Sequence, residues 1–92
     1  MLFVKTDGNY IELYFKDGNK ILRRTTIKKL ESIIKQEVFI LKTHRSYLVN
    51  INYVDTVSGN AQGYKLQLKN YSEKIPVSRN MISTFKNKMN NR

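Results

Sequence analysis

A chain of 92 residues with a net charge of +10, no cysteine and one histidine holds enough sequence for one hydrophobic core and excludes several classes of protein. Disulfides and thiolate metal sites are ruled out, and a clustered-histidine zinc site has no ligands to build from. No apolar run nears the ~18 residues that span a bilayer, and Met1-Leu2-Phe3-Val4 is too short for the core of a signal peptide. With seventeen Lys+Arg against seven Asp+Glu, the charge favours a polyanionic partner, whether nucleic acid, anionic membrane or heparin-like sugar.

The chain reads as a single domain over residues 1–92. Asp7-Gly8-Asn9 is a turn that holds Asn9 and Tyr10 at a loop tip. Tyr10 to Lys16 follows as a strand in which Ile11, Leu13 and Phe15 alternate with Tyr10, Glu12 and Tyr14. Asp17-Gly18 turns the chain into a return strand over Lys20 to Arg24. Thr25-Thr26 can cap a helix reaching about Lys35, with Ile27, Leu30, Ile33 and Ile34 on its inner face. Val38 to Leu41 has the continuous apolarity of a buried strand. Tyr47 to Ile51 reads as extended chain running on into Tyr53 to Val57.

Ser58 to Gly63 forms the next turn, Tyr64 to Lys69 alternates as a strand, and Asn70-Tyr71-Ser72 turns again. Lys74 to Val77 closes the strand set, with Pro76 marking an edge. Ser78 is placed to cap a terminal helix carrying Met81, Ile82, Phe85 and Met89 on one face, and the polar residues 87–92 predict a frayed end. The fold class is mainly β, with one short internal helix and a C-terminal helix.

Catalysis finds little support. Asp7, Glu12, Asp17, Glu31, Glu37, Asp55 and Glu73 are scattered, most of them at turns, without the paired spacing of acid–base or metal chemistry. The four glycines are isolated in turns, so there is no phosphate-cradling loop. No cofactor and no enzymatic activity are expected.

Binding has better candidates. Lys42-Thr43-His44-Arg45-Ser46 is a polar insert between two apolar strands, the pattern of a recognition loop on a stiff scaffold. Arg45 can donate a bidentate pair to guanine. His44 either reaches a base edge or phosphate, or is a hydrogen-bonding residue that holds the turn. Ser78-Arg79-Asn80 is a second such insert; Ser78 either caps the helix or joins the site, and a cap would still present Arg79 and Asn80 outward. Asn9-Tyr10 is the third. No strand carries the paired exposed aromatics of a single-stranded RNA platform, and Lys28-Lys29 and Lys86/Lys88 read as solvated outer helix faces.

The order Asp7-Gly8-Asn9-Tyr10, Asp17-Gly18, the amphipathic Thr26–Glu31 segment, Phe39, His44-Arg45-Ser46-Tyr47-Leu48-Val49-Asn50 and Ile75-Pro76-Val77-Ser78-Arg79 resembles the LytTR-type DNA-binding domain, the output module of many bacterial response regulators. The resemblance covers nearly the whole chain in register. It implies an elongated arrangement of small antiparallel β-sheets, and loops at Asn9-Tyr10, His44-Arg45-Ser46 and Ser78-Arg79-Asn80 that enter successive major grooves of double-stranded DNA. It further implies targets that are short direct repeats able to recruit two copies of the chain, a cytoplasmic transcriptional regulator without a membrane partner, and control by a receiver domain or sensor kinase. Against the family pattern, one or two initial strands are not found before Leu2-Phe3-Val4. The competing expectation is a polyanion-binding or protein-interaction module without sequence preference.

Overall fold

The computed structural model describes residues 1–34 and 37–92. Eight strands form two antiparallel sheets. β1 (Phe3–Asp7), β2 (Tyr10–Tyr14), β3 (Lys20–Arg23), β4 (Ile40–His44) and β5 (Tyr47–Asn50) make a five-stranded sheet in the order β3-β2-β1-β5-β4. β6 (Val54–Asn60), β7 (Gly63–Leu68) and β8 (Lys74–Ser78) make a three-stranded meander. The helices are α1 (Ile27–Ile34), between β3 and β4, and α2 (Ile82–Asn90) at the C-terminal end. Lys35, the expected helix end, and Gln36 lie outside the described residues.

Because side chains alternate along a strand, the five-stranded sheet presents two faces, and each is buried against a different partner. Val4, Ile11 and Leu48 face α1 and pack on Ile27, Leu30 and Ile34. Phe3, Leu41 and Val49 face the other way, toward the meander's Leu66, Leu68, Ile75 and Val77 and the Phe85 ring of α2. Tyr14 lies on this second face, opposite Phe3 in the β1–β2 ladder, and stacks on it at 4.4 Å with an interplanar angle of 8°. The alternation of Ile11 and Leu13 against Tyr14 therefore separates two cores, not core from solvent.

Glu12 is buried on the same face. Its carboxylate accepts from Tyr14 Oη at 3.1 Å and Lys20 Nζ at 3.4 Å, which meets the cost of taking it out of water. Burial, and then this bond to Glu12, push the Tyr14 phenol up to about 12 from its ordinary value near 10. Burial and a hydrogen bond to Glu73 push Tyr71 up as well.

The sheets meet along a seam between two edge strands, β4 and β8. Thr43, 0% exposed, donates from Oγ1 to the Pro76 carbonyl at 3.0 Å. That carbonyl points away from β7, so the N–H that proline lacks falls on the open edge and costs the ladder nothing. Asn50 fastens the chain start: its Nδ2 donates to the Met1 carbonyl and its Oδ1 accepts from Asn52 N, both at 3.0 Å.

Several expectations shift. Ile33 is 78% exposed; at ~100° per residue it stands about 120° around the helix from Ile27, whereas Ile34 returns to within about 20°. Val38 is 71% exposed and lies in a turn closed by Ile40 N donating to the Glu37 carbonyl, so the predicted buried strand over Val38–Leu41 begins only at Ile40. A 3-10 turn over Ile51–Tyr53, started by the Asn50 side chain, breaks the extended run expected there. The Ser58–Gly63 turn narrows to Ala61-Gln62, with β6 continuing through Gly59 at φ 108°, where a Cβ would collide with the Gly63 carbonyl. Residues 87–90 complete α2, and Arg92 Nη1 donates to the Ile51 carbonyl at 2.8 Å.

Replacing Thr43 by Val keeps the shape and removes the inter-sheet donor, so urea unfolding should show a loss of about 1–3 kcal/mol. For Tyr14 the folded value exceeds the unfolded one, so its contribution is whole below pH about 10 and is lost as pH rises toward about 12. The urea midpoint should fall through that window, and by less in the Tyr14→Phe chain.

Candidate nucleic-acid interface

Strand directions bring the three predicted loops to one end of the molecule. β1 runs up to Asp7 while β5 runs back from Tyr47; Lys5 pairs with Tyr47, and Thr6 N donates to the Ser46 carbonyl at 3.0 Å. The β1–β2 and β4–β5 turns are thus neighbours. The pairing of Ile11 with Arg23 sends the β3–α1 loop to the same end. The β4–β8 seam adds Ser78 from the other sheet, its hydroxyl 3.3 Å from the Thr43 carbonyl.

Each loop is set by local chemistry. The two-residue turn Gly8-Asn9 needs a positive φ at its first position, and Gly8 supplies φ 62°. Asn9 is exposed beside it, and Tyr10, 46% exposed, opens β2. The insert Lys42–Ser46 is not all loop: Lys42, Thr43 and His44 belong to β4, and Arg45-Ser46 alone forms the turn. His44 Nδ1 accepts from Ser46 N at 3.1 Å. With Nδ1 an acceptor, the neutral ring carries its proton on Nε2. His44 also lies edge-on to Tyr47, with centroids 5.7 Å apart. Of its two expected roles, holding the turn is thus met within the fold. Arg45 is exposed.

The expected Ser78 cap takes a different form. A 3-10 turn over Arg79–Met81 intervenes before α2, and the Ser78 side chain caps neither. Its hydroxyl sits 2.8 Å from Asn80 Oδ1, tying the loop to itself and to β4. Arg79 and Asn80 are exposed.

Two hollows run between these loops. One, of about 380 Å³, is lined by Lys42, His44, Arg45, Ser78, Asn80 and Met81. The other, of about 450 Å³, includes Asn9, Arg24, Lys28, Lys42 and Arg45 in its wall. Lys42 and Arg45 belong to both, so they form the ridge between them. Five predicted residues thus share the pair of hollows: Asn9, His44, Arg45, Ser78 and Asn80. Tyr10, Ser46 and Arg79 stand outside both linings. Lys42 opens the predicted Lys42–Ser46 insert, whereas Arg24 was not singled out by the sequence pattern and Lys28 reads there as a solvated helix face; only the long-range β2–β3 pairing carries these two to the loops.

The family model described as the LytTr DNA-binding domain matches residues 1–90. The chain belongs to the LytTR family. A solved structure with a similar fold is the LytTr DNA-binding domain of a protein described as a methyl-accepting/DNA response regulator from Bacillus cereus, at 17% identity and a TM-score of 0.81. The alignment covers 96% of this chain and 79% of that one, and at such identity it speaks for the fold. No curated protein sequence matches the chain.

In this LytTR domain the His44–Ser46 bond has the form of an Asx turn. Asp17, Asn50 and Asn60 use their side-chain oxygens in the same i to i+2 way, accepting from Asn19, Asn52 and Gln62. An asparagine oxygen should therefore replace His44 Nδ1. His44→Ala should lose about 0.5–1.5 kcal/mol in urea unfolding, while His44→Asn should retain most of it.

Proposed function

We propose that this LytTR domain recognises duplex DNA sequence-specifically through its loops, as the DNA-binding part of a bacterial transcriptional regulator. The observation that carries the reading is the convergence of Asn9, His44, Arg45, Ser78 and Asn80 on two adjoining hollows that share Arg45. Among the described residues the ion pairs are Lys5–Glu12, Lys20–Glu12 and Lys42–Glu31, so no carboxylate competes for the Arg45 guanidinium. Its planar fork suits the O6/N7 edge of guanine. A short turn anchored by His44 on one side and by the Ser46–Thr6 backbone bond on the other limits the entropy lost on docking.

Arg79 and Tyr10 take a second tier. Both are exposed at the edge of the loop cluster, where they reach outward toward neighbouring grooves or phosphates, and Ser46 serves through its backbone. Direct repeats would be read by two copies side by side. Control by a receiver domain or sensor kinase in the cytoplasm fits the response-regulator setting of the Bacillus cereus relative.

Selection from random duplexes at near-physiological salt tests the reading. Enrichment of a short repeated motif is expected, whereas equal binding of selected and scrambled duplexes with the same salt dependence would leave a general polyanion binder. Replacing Arg45 or Arg79 by Gln should cost roughly 1–3 kcal/mol on the selected duplex and much less on scrambled DNA. An equal loss on both would make that arginine a phosphate contact.

A further inference from the structure

We propose that the larger hollow is a phosphate saddle, in which Arg24 and Lys28, with Lys42 at its rim, grip the DNA backbone beside the bases met by Asn9 and Arg45. The inference rests on the DNA-binding reading above and adds to it Arg24 and Lys28, which lie outside the three predicted recognition loops. Four cations, Arg24, Lys28, Lys42 and Arg45, line this one depression of about 450 Å³. They come from separate places: the β3–α1 loop, the first turn of α1, strand β4 and the β4–β5 turn.

Among the described residues no carboxylate lines the hollow. Asp7, at the end of β1, lies near in sequence but outside the lining. Glu31 pairs with Lys42 at 3.9 Å across the rim, and that pair leaves Arg24, Lys28 and Arg45 uncompensated. Like charges gathered in one recess repel and work against the folded state, so stability gives no reason for the arrangement. An anion seated among them does.

The anion best matched is a phosphodiester of duplex DNA. The hollow is continuous with Asn9 and Arg45, so a strand whose bases meet those residues carries its own phosphates into the recess. Arg24 and Lys28 are exposed, long and flexible, which suits attachment to a backbone and not base discrimination. Their contribution is predicted to be independent of sequence.

The test compares the unchanged chain with Arg24→Gln/Lys28→Gln and with a control pair, Lys86→Gln/Lys88→Gln, whose lysines line neither hollow. Affinity for the selected and the scrambled duplex is measured across a salt series. Loss of two phosphate contacts should lower the slope of log K against log salt by roughly 1.8, and so weaken binding about 30-fold at ~0.15 M salt relative to 1 M, equally on both duplexes. The control pair should change the slope far less. An unchanged slope, an effect no larger than the control's, or a loss confined to the selected duplex would overturn the saddle. Whether the unchanged chain prefers its selected duplex tests the base-reading proposal separately, and the slope on scrambled DNA remains readable if it does not.

Discussion

The hydrogen bond from buried Thr43 to the Pro76 carbonyl joins two sheets that otherwise meet largely through apolar side chains. Hydrophobic contact is non-directional, and a β sandwich held by it alone can slide by a residue at modest cost. A buried donor whose acceptor lies on the opposing edge strand resists sliding, because a shift would strand it without a partner. The Ser78 hydroxyl beside the Thr43 carbonyl fixes the same register from the other side. The consequence is felt a residue or two away: His44-Arg45 and Ser78-Asn80 belong to different sheets, yet their mutual position is set to hydrogen-bond precision.

Charge follows a complementary division. Among the described residues, three of the seven acids have partners away from the loop end: Glu12 with Tyr14, Lys5 and Lys20; Asp17 with the Asn19 backbone; Glu73 with Tyr71. Among the described residues, Lys42 is the loop-end cation held in an ion pair, by Glu31 at the rim. A field of this sign attracts DNA over a distance set by salt screening, while the proposed base contacts act only at short range.

Much of the fold was legible because its signals are local. Asp17-Gly18 and Gly8-Asn9 fix turns through backbone freedom, Thr26 accepts from Lys29 N as a helix cap at 3.1 Å, and Pro76 marks an edge. Where residue type alone had to decide, the reading slipped. Val38 is as apolar as Ile40, yet the Glu37 carbonyl turns the chain beneath it. Tyr14 looks like the polar partner of Leu13, yet a second sheet covers its face. Ser78 has the composition of a helix cap, yet its hydroxyl lies between Asn80 Oδ1 and the Thr43 carbonyl of β4. The site shows the same limit. Asn9, His44, Arg45, Ser78 and Asn80 stand in recognisable motifs, whereas Arg24 and Lys28 join them only through strand pairing, which no short window of sequence contains.

His44, the single histidine of the chain, is committed to a turn. Asparagine or aspartate fills the same i to i+2 role elsewhere in the chain, so the turn by itself does not call for an imidazole. An asparagine whose Oδ1 is committed to the turn leaves an amide on a short stem. A histidine whose Nδ1 is committed leaves an Nε2–H on the far side of a rigid ring, here one wall of the hollow it shares with Arg45, Ser78 and Asn80. The nitrogen that braces the Arg45 turn also leaves the neutral ring's proton on Nε2, which under the DNA-binding proposal is the donor offered to the ligand.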